Sequence, residues 1–324
     1  MMNRIIRHLK NSNHLLLATH TNPDGDAIGS LIAMGLSLEV LNKRITLYNE
    51  SPLPAVYRFL PSVDRVVGRL KTANRYDTAI ILDCGELERI GQAVSRVRQI
   101  PTIINIDHHI TNTSFGDYQL IETTASSTAE ILYRLIKKMA IPLNRDIATL
   151  IYTGILTDTG SFRFSNTNQA AFTICEEMIR LGVNPYDIAK HVYGTYSLGR
   201  IKLLNLALDS IEISKNGKLS MMTLTRKMFA ETGTQAEDVD GMINYARRIE
   251  DVKVAVLIQQ GPNGKEKSAN PNLFHVSLRS DGTVDVAEIA SAFNGGGHPS
   301  AAGFSIEAAL SDLKLNMLDL SKKL

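Results

Sequence analysis

One imidazole and two carboxylates fall within seven positions in His20-Thr21-Asn22-Pro23-Asp24-Gly25-Asp26, between an apolar run and a segment of helical spacing. A nitrogen donor beside two hard oxygen donors is a set that can hold a divalent transition-metal ion. Pro23 stiffens the loop and Gly25 allows a bend between the acids. Asp24 and Asp26 alternate, so they can point to opposite sides of the loop, which suits two adjacent cations better than one. The plainer reading is an Asx-rich turn in which Asp24 or Asp26 caps the following helix. Further groups of the same type are Asp83, ahead of Cys84-Gly85, and the run Asp107-His108-His109. A lone acid, Asp158, stands in Leu156-Thr157-Asp158-Thr159-Gly160. Taken singly, Asp158 reads as a helix cap and the adjacent histidines as surface residues.

The elements that precede these residues change that reading. Apolar runs predict strands at 15–19, 45–48, 79–82 and 102–106, and apolar spacing predicts helices near 27–42, 87–98, 126–140, 144–157 and 167–181. Strands alternating with helices predict an α/β fold with a parallel sheet flanked by helices. In such sheets, binding groups gather beyond the carboxyl ends of the strands. The first strand runs into His20, Asp24 and Asp26, the third into Asp83 and the fourth into Asp107-His108-His109. Asp158 follows a predicted helix. One sheet edge would therefore collect them all.

Near 193 the pattern changes. The division read from it is a first domain over 1–192, a linker helix over 193–210 and a smaller α+β domain over 211–324. In the last part, runs at 211–214 and 219–224 flank Lys215-Asn216-Gly217-Lys218, a hairpin signal. A helix near 237–248, strands at 252–259 and 273–279 and a helix at 285–293 follow, with 260–272 reading as a mobile polar loop. Here lies a second constellation: Arg279-Ser280, then Asn294-Gly295-Gly296-Gly297-His298. Three consecutive glycines let backbone approach a ligand closely, and their N–H groups can line an anion-binding concavity. A lone glycine triplet more often marks a plain loop; the histidine beside it and the arginine one strand away favour an anion pocket.

His20, Asp24, Asp26, Asp83, Asp107-His108-His109 and Asp158 resemble, in order and spacing, the four motifs of the DHH phosphoesterase superfamily. Residues 274–303, with Gly295-Gly296-Gly297-His298, resemble its DHHA1 domain. The length is that of the nano-RNase group, which combines oligoribonuclease and pAp phosphatase activities. The resemblance implies two divalent cations, Mn²⁺ first and Mg²⁺ or Co²⁺ as alternatives, that activate a bridging water. His20 and Asp24 would hold one metal, Asp26, His108 and Asp158 the other, with Asp83 bridging. Asp107 and His109, grouped with Asp83 as catalytic, would orient a ligand or donate a proton. Arg279, Ser280, Gly295, Gly296, Gly297 and His298 would grip substrate phosphate. The implied substrates are short oligoribonucleotides, linear dinucleotides (pApA, pGpG) and 3′-phosphoadenosine 5′-phosphate, with a homodimer as assembly. Exopolyphosphatase-like or cyclic-dinucleotide phosphodiesterase-like hydrolysis is the alternative. A catalytically silent nucleotide- or RNA-binding protein is the other, although such a descendant would be expected to have lost a ligand.

Whole-chain properties bound these readings. Thirty-five basic against 33 acidic residues give a net charge of +2, too little to argue for nucleic acid by itself. Cys84 and Cys175 show no pairing pattern, and no run is long and apolar enough to span a membrane. Both point to a cytoplasmic protein.

Overall fold

Strand alternation sorts the residues of the first sheet. The computed structural model describes residues 1–70, 75–194, 196–239, 241–261 and 270–324, and the chain divides into units Met1–Thr195 and Tyr196–Leu324. The first unit runs α1 (Met2–Asn11), β1 (His14–Thr19), α2 (Gly25–Glu39), β2 (Arg44–Tyr48), β3 (Val66–Val67), β4 (Thr78–Leu82), α3 (Val94–Val97), β5 (Ile103–Asp107) and β6 (Tyr118–Ile121). It continues with α4 (Thr128–Lys138), α5 (Arg145–Asp158), α6 (Gln169–Arg180) and α7 (Pro185–Tyr193). All strand pairs are parallel, in the order β3-β2-β1-β4-β5-β6. Leu15 and Leu17 of β1 point into a core shared with α2, α4, α5 and α6, whereas Leu16 and Ala18 point into a second core with Leu87, Ile90 and Val97.

The helix starts follow local chemistry. Asp24, Ser127, Asn144 and Asn168 are the N-caps of α2, α4, α5 and α6, each accepting a backbone N–H of its own first turn. Glycines then let α2 approach α5 and α4. A Cβ on Gly25 would lie 2.5 Å from Thr157 Oγ1, one on Gly29 2.6 Å from the Leu150 carbonyl, and one on Gly154 2.7 Å from both Ala129 Cβ and Asp26 Oδ1. Gly25, expected to bend the loop, is instead the first residue of α2 and serves close helix packing.

Two predicted helices differ. The one expected over 87–98 is a 3₁₀ segment, Leu87–Ala93, broken at Gly91 (φ 83°), followed by the single turn of α3. Glu50 accepts the Gln92 N–H and stands where a Gly91 Cβ would be, so this left-handed kink requires glycine. The helix expected near 237–248 is a 3₁₀ turn, Ala236–Val239, and the short helix Ile243–Arg247, with Asp240 between them outside the described residues.

The second unit contains α8 (Leu198–Asp209), β7 (Glu212–Ile213), β8 (Leu219–Leu224), α9 (Arg226–Thr232), α10 (Ile243–Arg247), β9 (Val254–Gln260), β10 (Leu273–Ser280), α11 (Val286–Ser291), β11 (Gly296–His298), β12 (Ala301–Glu307) and α12 (Leu310–Leu320). Its sheet, in the order β11-β12-β10-β9-β8-β7, is mixed, with β8–β9 the one parallel pair among those described. Helix α8, which covers much of the stretch read as a linker, buries Leu203 and Ala207 against Met222, Leu224 and Phe229 of this unit. The loop expected to be mobile falls largely on 262–269, outside the described residues. Among the described residues, no helix is long and apolar enough to cross a membrane.

Candidate metal centre

Chain order reverses between β1 and β4: β2 and β3 lie on one side, β4, β5 and β6 on the other. Open α/β sheets form their ligand crevice at such a reversal, outside the carboxyl ends of the strands. Thr19 pairs with Leu82 and Leu82 with Ile106, so His20, Asp83 and Asp107 leave the sheet side by side. Asp83 takes φ 51°, a left-handed conformation that costs energy outside glycine but that Asp tolerates better than most. Asp24 and Asp26 arrive with the start of α2, and Asp158 is the last residue of α5.

These side chains meet. His20 Nε2 lies 3.5 Å from Asp83 Oδ2, and His108 Nε2 lies 3.7 Å from Asp83 Oδ1 and 3.4 Å from Asp158 Oδ2. Ligand atoms of His20, Asp24 and Asp83 all fall within 4.8 Å of one another, as do those of Asp26, His108 and Asp158, and those of Asp83, His108 and His109. The imidazoles are aimed by their other nitrogens. His20 Nδ1 is 2.9 Å from the Thr21 carbonyl and His108 Nδ1 is 3.4 Å from the Ala125 carbonyl. A carbonyl only accepts, so Nδ1–H donates and Nε2 turns its lone pair toward the carboxylates.

That arrangement tests whether a metal fits. Lone pairs of two acceptors facing each other repel unless a proton or a cation lies between them. The carboxylates are crowded as well. Burial, then the charges of Asp83, Asp158 and Asp24, push Asp26 well above the carboxylate range, although it accepts backbone N–H groups from Thr128 (2.7 Å) and Ala129 (2.9 Å). Burial, then Asp83 and Asp24, push Asp158 up to about 8. Asp158 also sits at a helix C-terminus, the end that favours cations. Burial would raise Asp83 too, but without a cation a proton on His20 Nε2 takes the cation's place, and that proton together with the charges of His109, His20 and His108 holds Asp83 well below the usual range. Acids so placed, with mixed oxygen and nitrogen donors, fit divalent cations.

Asp107 and His109 form a separate pair. His109 Nδ1 donates to Asp107 Oδ1 at 2.7 Å, and Asn112 Nδ2 donates to Asp107 Oδ2 at 2.6 Å. Burial lowers the His109 pKa, but this hydrogen bond and the charges of Asp83, Asp107 and Asp158 raise it to about 9. Sequence reasoning missed the groups that do the aiming. Besides Asn112, Asn166 Nδ2 donates to Asp158 Oδ2 (3.1 Å), Asn49 Nδ2 to the His20 carbonyl (2.7 Å) and the Thr128 hydroxyl to Asp83 Oδ1 (3.0 Å). One had a visible signal: Ser127-Thr128-Ala129-Glu130 has capping-box spacing at a helix start.

The second constellation lies in the second unit. Arg279, half-buried, occupies β10; it pairs with Ala301 of β12, which pairs with His298 of β11, so the two basic residues share a register row. Beyond its backbone, the side chain of His298 lies outside the described residues. Ser280, the last residue of β10, is buried at 2% exposure, and its hydroxyl accepts the N–H groups of Gly282 (3.0 Å) and Val284 (3.3 Å) of the turn that follows. The glycines differ. A Cβ on Gly295 would meet the Gly303 carbonyl at 2.3 Å and one on Gly297 (φ 148°) would meet Ala302 Cα at 2.5 Å, whereas Gly296 faces open space.

With this geometry in place, known proteins supply the family. Residues 14–155 match the DHH family, N-terminal domain, and residues 219–322 the DHHA1 domain. The bifunctional oligoribonuclease and PAP phosphatase NrnA of Thermus thermophilus is 31% identical over 296 residues, covering 90% of this chain and 84% of that protein. The protein of the same name from Bacillus subtilis is 29% identical over 94% of this chain and 93% of its own. The crystal structure of an exopolyphosphatase-related protein from Bacteroides fragilis superposes with a TM-score of 0.90 at 25% identity, over 99% of this chain and 96% of that one. The chain belongs to the DHH–DHHA1 phosphoesterase family, alongside the bifunctional oligoribonuclease and PAP phosphatases.

Proposed function

We propose that this protein is a divalent-metal-dependent hydrolase of short oligoribonucleotides, of linear dinucleotides such as pApA and pGpG, and of 3′-phosphoadenosine 5′-phosphate. The observation that carries the reading is the pair of nitrogen–oxygen donor groups, His20/Asp24/Asp83 and Asp26/His108/Asp158, on one sheet edge. Two cations held there would supply Lewis acidity and a water acidified toward neutral pH. Asp83, within 3.5 Å of His20 and 3.7 Å of His108, would be the ligand that the two share. Mn²⁺ suits the mixture of imidazole and carboxylate. His109 would donate a proton or hydrogen bond to the reacting phosphate, with Asp107 holding its ring through Nδ1. Arg279 grips a further phosphate of the substrate through its fork of N–H donors, aided by the backbone N–H groups around Gly296 and by His298. A grip on a distal phosphate measures length, which favours short substrates. The two buried free cysteines, Cys84 and Cys175, support a reducing, cytoplasmic setting.

A substrate panel tests the reading with Mn²⁺ and with a chelator: pAp, pApA, pGpG, a five-nucleotide RNA, long RNA, cyclic-di-AMP, pyrophosphate and polyphosphate. The expected result is chelator-sensitive hydrolysis of the first three, with rates falling steeply as RNA lengthens. Comparable rates on long RNA would sink the length argument, and turnover that survives the chelator would sink the metal. Likeness to the exopolyphosphatase-related protein keeps polyphosphate as the second reading, and polyphosphate turnover in excess of pAp turnover would select it.

A further inference from the structure

One residue touches both donor groups without being a member of either. Thr128, the first residue of α4, is fully buried; its backbone N–H donates to Asp26 Oδ2 at 2.7 Å and its hydroxyl to Asp83 Oδ1 at 3.0 Å. An ionised carboxylate only accepts, so the hydroxyl hydrogen is committed to Asp83. We propose that Thr128 is a positioning residue for the two-cation centre. By holding Asp26 and Asp83 together, it sets the separation of the two donor groups and the rotation of the carboxylate they share. This role rests on the di-metal reading above.

The residue type and its place explain why it can act so. In the first turn of a helix a backbone N–H has no intrahelical acceptor, which leaves the Thr128 amide available to Asp26. A β-branched side chain has few χ1 choices, so its hydroxyl stays aimed. The turn in front of it is braced. Ser127 Oγ accepts the Glu130 N–H at 3.2 Å, and Glu130, 3% exposed, takes the N–H and hydroxyl of Ser126 on Oε2, both at 2.8 Å. Asn168 donates to the same oxygen at 3.0 Å, and Arg134 lies 3.3 Å from the other. Three donors on Oε2 and a guanidinium beside Oε1 thus hold this buried acid against the turn. One residue further back, the Ala125 carbonyl receives His108 Nδ1. The start of α4 thus touches a histidine, an acid of one donor group and the acid joining both.

The test compares Thr128→Val, which keeps the shape and removes the donor, with Thr128→Ser, which keeps the donor. Metal-free protein is titrated with Mn²⁺ by calorimetry, circular dichroism and thermal unfolding report the fold, and kcat and KM are measured on pAp. Wild type and Thr128→Ser are expected to bind two ions per chain with similar affinity. Thr128→Val is expected to remain folded, to lose roughly 10–100-fold in affinity for at least one ion, and to lose kcat with KM little changed. If Thr128→Val binds both ions as wild type does, the positioning role is overturned while the di-metal reading stands. An equal loss in Thr128→Ser would also overturn it, because the methyl packing rather than the hydroxyl would then matter. A wild-type protein that takes up no Mn²⁺ removes the di-metal reading and this role with it.

Discussion

The two constellations that stand out in the chain are built on opposite principles. In the first unit, the donors are carboxylates and imidazoles, buried at His20, Asp26 and Asp83, half-buried at His108 and Asp158 and exposed at Asp24, each aimed by an amide, hydroxyl or carbonyl, and packed until their charges conflict. In the second, the features are a half-buried arginine and backbone running along an exposed glycine segment, with no comparable crowding of acids among the described residues. Conflict between like charges is costly in an empty site and disappears when cations enter, so the first region is organised around a ligand of high charge. The second offers backbone N–H groups along the glycine segment and a guanidinium whose Nη1 donates to the Leu278 carbonyl at 2.9 Å, donors free of such a conflict.

The largest effect expected to separate them is that of Asp83→Ala. If Asp83 is the carboxylate that two cations share, its loss should lower kcat by on the order of 10³-fold or more, about 4 kcal/mol, on every substrate alike, including bis-p-nitrophenyl phosphate. Retained metal-dependent turnover would rule out a bridging role for Asp83. Arg279→Ala should behave differently. Losing a charged hydrogen bond costs about 1.5–3 kcal/mol, roughly 10–150-fold in kcat/KM, and this loss should appear on nucleotide substrates but not on the small generic ester. Equal losses on both would mean that Arg279 does not hold the distal phosphate.

The charge conflict also predicts a pH dependence confined to the first region. Asp158 is raised from 3.8 to about 8 and His109 from 6.5 to about 9 in the folded, metal-free protein. A group raised on folding contributes stability that is full below its unfolded pKa and is lost as pH climbs through the folded one. Asp158 loses its contribution between about 4 and 8 and His109 between about 6.5 and 9. Asp83 is shifted down, so its own contribution changes only at acid pH and is constant across this window. Metal-free protein should therefore melt at a lower temperature at pH 9 than at pH 6. Added Mn²⁺ should shrink that difference, because a cation takes the place of the protons, and its apparent affinity should rise with pH over the same window. Melting curves at both pH values, with and without Mn²⁺, decide this; an unchanged difference would mean that no cation reaches Asp158.

What could be read from the chain alone divides along the same line. A strand followed at once by a donor is a local pattern, so His20, Asp83 and Asp107-His108-His109 were legible, as was the parallel sheet that aligns them. The residues that aim the donors were not, because the pairing is remote: the Thr128 amide meets Asp26 102 positions away and the Asn49 amide meets the His20 carbonyl 29 positions away. Asp158 reads locally as a cap; only the close approach of α2 to α5, permitted by Gly25, Gly29 and Gly154, carries it to Asp26. In the second unit β12 passed unnoticed, since Ala301-Ala302-Gly303 lacks the branched residues that mark a strand. Ser280 stood beside Arg279 in sequence, but alternation along β10 turns it to the buried face.

The smallest expected effect lies inside the glycine segment and sharpens what that segment is for. Gly297 has φ 148°, and a Cβ there would sit 2.5 Å from Ala302 Cα and 2.6 Å from the Ala301 carbonyl. Gly297→Ala must move β12 or twist β11, at a cost of about 1–3 kcal/mol, so it tests the fold and nothing else. Gly296 is exposed and a Cβ on it meets nothing within 4 Å. Gly296→Ala should therefore leave the melting temperature within the ordinary scatter of surface changes, about 0.5 kcal/mol. If its backbone approaches a substrate phosphate, the added methyl intrudes on the ligand alone, and KM for pAp should rise severalfold with kcat and bis-p-nitrophenyl phosphate turnover unchanged. An unchanged KM would assign the absence of a side chain at Gly296 to the chain's own geometry and leave Arg279 and His298 to do the gripping.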